Sequence, residues 1–306
     1  MARNNVPILF LVFNRPVQTK ASLDRIREAQ PSVLYVHCDG PRAHKAGEND
    51  LVSQVRMLIQ TEIDWNCNVV TLYRENNHGL REGVFDAINW FFKQEPEGII
   101  LEDDCVPDLT FFRFCQELLE RYRNDEQVMH IGGSNLAEKY TSSKTESYVF
   151  SRFSFVWGWA TWRRAWEKMT LNLEGLDEFK QSAYFKQFMS NLLARSYMLD
   201  KFQHTQQRKN NSWAYAWFYS ILNNNGLCIV PIKNLVQNVG VGEPSATNTT
   251  TSNKEAMLGA SRLDWPLLHP INRKPDPALE QQFFYTSQKK RHRLLIWWAL
   301  KQMKLR

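Results

Sequence analysis

Short unbroken apolar runs alternate with helical periodicity through the first 135 residues. The runs are VPILFLVF (6–13), SVLYVHC (32–38), NVVTLYR (68–74), GIIL (98–101) and QVMHIGG (127–133). The intervening spacing predicts helices over about 16–30, 48–63, 82–93 and 109–122. Pro16 suits a first helical turn, and Pro31 closes that helix. Asp39-Gly40-Pro41 is a turn signature. Strands that are apolar on both faces and separated by helices belong to a mainly parallel sheet covered on both sides. Ligands of such sheets sit beyond the carboxyl ends of the strands. The polar clusters of the chain fall there: Asn14-Arg15, Asp39, Asn76 to Gly79, and Glu102 to Asp104.

The pattern is less regular afterwards. The segment FVWGWATWRRAW holds Trp157, Trp159, Trp162 and Trp166. The last three have i, i+3, i+7 spacing, which predicts a packed helix face. Trp157 and Trp159, flanking Gly158, are either core or an aromatic platform, because indole faces pack on apolar C–H surfaces. Arg163 and Arg164 either grip a phosphate or form the solvated face of that helix. Helices are expected over about 177–206 and 213–224, and a strand over GLCIVPI (226–232). The polar stretch SATNTTTSNKE (245–255) reads as a loop.

Composition narrows the class. Apolar residues make up 43% of the 306, enough for a substantial core. The five cysteines are odd in number and lack CxxC pairs, which suits a reducing compartment rather than a disulfide or zinc framework. No segment reaches the length of a membrane span, and the apolar N-terminal run reads as a strand rather than a leader. The formal net charge is +6, but seven of the 38 Lys and Arg lie between Ser287 and Arg306, where there is no acid. The remaining 31 face 32 acidic residues, so the body is near neutral, which argues against a nucleic-acid partner. The tail KKRHRLLIWWALKQMKLR reads either as an interfacial helix on an anionic membrane or as a helix docked on the domain.

Three adjacent carboxylates, Glu102, Asp103 and Asp104, end the strand GIIL. They repel one another and call for a countercharge. A hard divalent cation, Mg2+ or Mn2+, is one solution. The plainer alternative is that they open the next helix and favour its dipole.

The segment GIILEDDCVPDLTFF resembles the metal-binding segment of nucleotide-sugar glycosyltransferases of the GT-A fold, in particular the N-acetylglucosaminyltransferase I family. FNRP, DGPR, ILEDD, WGWATWRRAW and NNGL, in that order, also resemble a set of bacterial sugar transferases. The resemblance implies an α/β GT-A fold: a Rossmann-like, mainly parallel sheet with helices on both faces and an irregular acceptor-side half. It implies a nucleotide-sugar-binding half over 1–135, an acceptor-side half of the same domain over 136–286, and a basic amphipathic helix over 287–306. It further implies transfer from a UDP-sugar, of the UDP-N-acetylhexosamine type, to a glycan or lipid-linked acceptor, with inversion. The expected setting is surface polysaccharide or lipopolysaccharide synthesis in the cytoplasm, peripheral to the inner face of the cytoplasmic membrane.

By the same resemblance, Arg15 contacts the uracil or the diphosphate, Asp39 accepts from the uracil or ribose, and Asp103 lies by the ribose. Asp104 binds the Mn2+ or Mg2+ that bridges the phosphates. Asn14, Asn77, Gly79, Arg81 and Glu102 belong to the nucleotide side, and Trp157, Gly158 and Trp159 to the acceptor side. Without the resemblance, Arg15 is a surface cation near a helix start, Asp39 a turn former and Gly79 a residue permitting positive φ.

Two positions depart from the resemblance. Relatives carry Trp-Asp-Tyr where this chain has Trp213-Ala214-Tyr215, and that Asp is their candidate base. Asn248 stands where relatives often have His. Three consequences are open. The base comes from elsewhere, with Asp200 and Glu243 as candidates; or the substrate differs; or the protein binds a nucleotide sugar without transferring it.

Overall fold

In the computed structural model, residues 5–188, 191–240, 258–288 and 291–304 are described. Their strands are β1 (Ile8–Val12), β2 (Val33–Cys38), β3 (Asn68–Tyr73), β4 (Glu97–Glu102), β5 (Cys105–Pro107), β6 (Val128–Gly132), β7 (Tyr148–Ser151), β8 (Trp159–Trp162), β9 (Leu227–Pro231) and β10 (Val236–Asn238). The helices that frame them are α1 (Pro16–Ala29), α2 (Glu48–Glu62), α3 (Leu80–Phe92), α4 (Leu109–Arg121), α5 (Glu138–Thr141), α6 (Arg163–Trp166), α7 (Leu176–Phe179), α8 (Ala183–Phe188), α9 (Leu192–Gln206), α10 (Trp213–Asn223), α11 (Pro277–Ser287) and α12 (Arg291–Lys304).

The main sheet has the order β3-β2-β1-β4-β8-β6-β9-β7 among the described residues. Strands β3, β2, β1 and β4 are parallel neighbours, as are β6 and β9. Only β8 and β7 run against their neighbours. The fold is therefore a mainly parallel α/β sheet with helices on both faces. Strands from before and after residue 136 share it, so the two halves form one body.

Burial explains the strand patterns. All five residues of β1 are buried, because α1 and α2 cover one face and α3 the other. Phe10, Val36 and Leu101 join Leu23, Val52 and Phe111 on the first face. Leu9, Leu11, Tyr35 and Ile100 join Val84, Ile88 and Phe91 on the second. Each such side chain contributes about 1.5–3 kcal/mol of transfer free energy. At the sheet edge, β3 is largely exposed.

Two sequence expectations are corrected. The predicted helix over 177–206 is divided into α7, α8 and α9. Caps divide it: Ser182 Oγ accepts from Phe185 N at 3.1 Å, and Asn191 Oδ1 accepts from Leu193 N and Ala194 N at 3.0 and 3.2 Å. The tryptophan segment is not one helix face. Trp159 and Trp162 begin and end β8 and join hydrophobic clusters on opposite faces of the sheet, Trp159 with Ile100 and Trp162 with Leu101. Trp166 lies in the short helix α6 that follows.

Candidate functional site

β4 ends at Glu102, and Asp103-Asp104 form the turn into β5. Asp108 then caps α4, accepting from Thr110 N at 2.8 Å. Opening the helix is thus the task of Asp108 rather than of the triplet. Ser22 of α1 is fully buried and its Oγ donates to the Asp103 carbonyl at 2.9 Å. Arg25 Nε donates to the Pro107 carbonyl at 2.9 Å. Helix α1 therefore holds the turn from beneath, on both sides.

Arg15 precedes α1 and reaches across the strand ends. Its Nη1 donates to Asp104 Oδ2 at 2.8 Å and lies 3.4 Å from Asp103 Oδ1. Burial, and then the neighbouring carboxylates, push Glu102 and Asp103 well above the usual carboxylate range. Among the described residues one guanidinium thus faces three carboxyl groups, and the cluster is short of positive charge.

The carboxyl edge is closed from the far end of the chain. β10 pairs antiparallel with β5. Asn238 Nδ2 donates to Asp104 Oδ1 at 3.3 Å, and Val239 N donates to the Asp104 carbonyl at 2.8 Å. Gly240 lies directly against Asp104, and a Cβ there would collide with the carboxylate. Neither Asn238 nor Gly240 is among the residues the sequence pattern points to. The available signal was the glycine-spaced NVGVG that ends this strand.

A metal fits this turn only as an open site. Among the described residues no group of three or more His, Cys, Asp or Glu is arranged to cage an ion. Mg2+ and Mn2+ do not need one, because one or two carboxylates and substrate phosphates complete their shell. Asp104, with Asp103 beside it, is that kind of donor set.

Other expected residues are committed to protein partners. Asp39 is a latch: its carboxylate accepts from Gly40 N, His78 N, Gly79 N and Asn77 Nδ2 at 2.9–3.0 Å. It organises the loop before α3. Asn77 also donates to the Gly40 carbonyl at 2.8 Å. Gly79 caps α3 at φ +79°, a conformation that favours glycine. Asn14 donates to Glu48 Oε1 at 2.9 Å. Glu48 is buried and held at about 2, mainly by its hydrogen bonds from Arg42. Arg81 is buried and donates to the Leu171 carbonyl at 2.6 Å and to Asn172 Oδ1 at 3.1 Å, so it ties α3 to that segment instead of facing the edge.

The aromatic platform is also corrected. Trp159 is fully buried and packs against His130, Trp166, Trp213 and Trp217, with ring centroids 5.1–6.1 Å apart. Gly158 is buried against Val236 and Leu101, and its carbonyl accepts from Gly133 N at 2.7 Å. Of the three acceptor-side candidates only Trp157 is partly exposed. Arg163 and Arg164 bond backbone carbonyls of Glu95, Arg123, Val128 and Tyr122, so they brace the amino-terminal ends of β4 and β6.

Ala214 is half-buried beside the same aromatic cluster. Asp200, a candidate base, pairs with Lys301 at 2.7 Å and His204 at 3.7 Å on the α9 side. Glu243, Asn248 and the polar stretch 245–255 lie outside the described residues.

No protein-family model and no curated protein matches the chain by sequence. Among solved structures, HddC from Yersinia pseudotuberculosis is 9% identical over 52% of this chain and 77% of its own, with a TM-score of 0.32. A cytidylyltransferase from Leptospira borgpetersenii serovar Hardjo-bovis is 12% identical over 55% and 64%, with a TM-score of 0.33. Mouse xyloside xylosyltransferase 1, in its apo form, is 12% identical over 72% and 81%, with a TM-score of 0.35.

Proposed function

We propose that this chain is a metal-dependent glycosyltransferase that uses a UDP-sugar, of the UDP-N-acetylhexosamine type, with a glycan or lipid-linked acceptor. Its product would be a component of surface polysaccharide or lipopolysaccharide. The observation that carries the reading is the charge-deficient carboxylate turn of Asp103 and Asp104, held at the carboxyl edge of a mainly parallel sheet and faced by Arg15.

Each residue has a physical task in this reading. Asp104 and Asp103 would hold Mg2+ or Mn2+, which supplies charge neutralisation for the departing diphosphate. Arg15 can turn from the carboxylates to a phosphate, where its planar donors are well suited. Ser22, Arg25 and Asn238 fix the turn so that no reorganisation is needed as charge develops. Direct attack of the acceptor hydroxyl gives inversion, and it needs a base to take the proton. Asp200, one candidate base, is tied to Lys301, and Glu243 is the other candidate.

Ala214 favours a second reading, a protein that binds a nucleotide sugar without transfer, because alanine accepts no proton. The first test is calorimetric titration of UDP with and without Mn2+, on the wild type and on Asp104→Ala. The expected result is Mn2+-dependent binding that Asp104→Ala abolishes. Absence of UDP binding with Mn2+ present overturns the donor assignment. Turnover on any acceptor then removes the second reading.

A further inference from the structure

Helix α12 is bound to the body by one side only. Leu294 is 1% exposed, Trp297 meets the Tyr197 ring edge-on at 5.1 Å, and Lys301 Nζ donates to Asp200 at 2.7 Å. These positions, i, i+3 and i+7, form one helical face, docked on α9. Leu295, Ile296, Trp298 and Leu300 are instead 42–58% exposed. Four large apolar side chains within six residues leave a patch that isolated surface apolar residues do not explain.

We propose that this outer face of α12 docks on an anionic lipid surface, with the helix lying in the plane of the interface. The proposal rests on the helix alone and is independent of the transfer reading. Charge selects the occupant. From Ser287 to Arg306 the chain has seven Lys or Arg and no acid, against a near-neutral remainder. Arg293, next to the patch, is itself exposed. Apolar side chains flanked by cations suit the boundary between acyl chains and acidic headgroups. Trp298, 42% exposed on this face, suits it too.

The alternatives fit less well. The inner face already serves the body, so the outer face has no further claim on it. A symmetric pairing of two copies through this face would bring one cationic segment against another. Among the described residues no helix is long and apolar enough to cross a bilayer, which leaves a surface-lying geometry for this one.

The test is co-sedimentation of the full chain with vesicles of phosphatidylcholine alone, or with about one-third phosphatidylglycerol added. The expected result is retention on the anionic vesicles only, release by high salt, and a blue shift of tryptophan emission. Leu295→Glu with Trp298→Glu should weaken retention at least tenfold while circular dichroism and UDP titration stay as in the wild type. Arg293→Gln should weaken it less, and mainly at low salt. The proposal is overturned if the wild type stays in the supernatant with anionic vesicles, or if the double variant is retained equally. A dimer in sedimentation that the double variant dissolves, without vesicle binding, assigns the face to a second copy instead.

Discussion

The Arg15 guanidinium stands 2.8 Å from Asp104, joining the end of β1 to the end of β4. It is the only cation in direct contact with the carboxylate turn among the described residues. Arg15→Gln should therefore destabilise the fold by about 1–3 kcal/mol in EDTA, since it removes the cation from a crowded carboxylate cluster. Mn2+ should restore part of that loss. Urea melts with EDTA and with Mn2+ measure both quantities, and equal midpoints for the variant in the two conditions count against a cation at Asp104.

Gly240 is a steric requirement of the same turn. Gly240→Ala should lower UDP affinity in Mn2+ at least tenfold, because the added methyl must displace the Asp104 carboxylate. The overpacking cost to stability is expected at about 1–3 kcal/mol. Calorimetry beside a thermal melt separates the two, and unchanged UDP binding would mean that Asp104 does not touch the nucleotide complex.

Trp157 and Trp159 should behave differently despite their proximity in sequence. Trp159→Ala removes a fully buried ring and should cost about 3–5 kcal/mol. Trp157→Ala should cost less and change acceptor KM more than kcat. Steady-state kinetics on both variants, with melts, checks the split.

Two buried histidines set a pH dependence. Burial lowers His37 to about 4 and His130 to about 3. Trp217 Nε1 donates to His130 Nδ1 at 3.2 Å, which assigns the His130 proton to Nε2, facing the Phe155 carbonyl. Unfolded histidine takes up a proton near pH 6.5, whereas these two stay neutral when folded. Their contribution is full above that pH and is lost as pH falls toward about 4 and 3. The histidine share of stability should decline between about pH 6.5 and 3, opposed by Glu102 and Asp103, whose raised affinity for protons favours the fold as pH falls, and His130→Gln should remove its part of the decline. Equal slopes for variant and wild type would exclude His130 as a source.

The parallel part of the sheet was legible because strands covered on both faces must be apolar at every position, as ILFLV of β1 is. The carboxyl edge followed from that. The insertion of β8 between β4 and β6 was not legible, because it depends on pairing with strands distant in sequence. Within a segment buried on both sides, a helical spacing of tryptophans has no fixed meaning. Asp39 and Arg81 were visible as polar residues near the carboxyl edge, but sequence does not show that loop amides engage the first and that Leu171 and Asn172 engage the second. The breaks at Ser182 and Asn191 were readable capping signals that a long apolar pattern obscured.

Asn238 is 134 residues downstream of the Asp104 carboxylate it bonds. The turn is thus finished by a stretch of chain that a ribosome delivers well after the strands around it. At the synthesis rates typical of cells, about 5–20 residues per second, the carboxylates wait roughly 7–27 seconds for this partner. Until it arrives, the turn lacks that partner, so a finished turn reports that the late strand β10 has docked on β5.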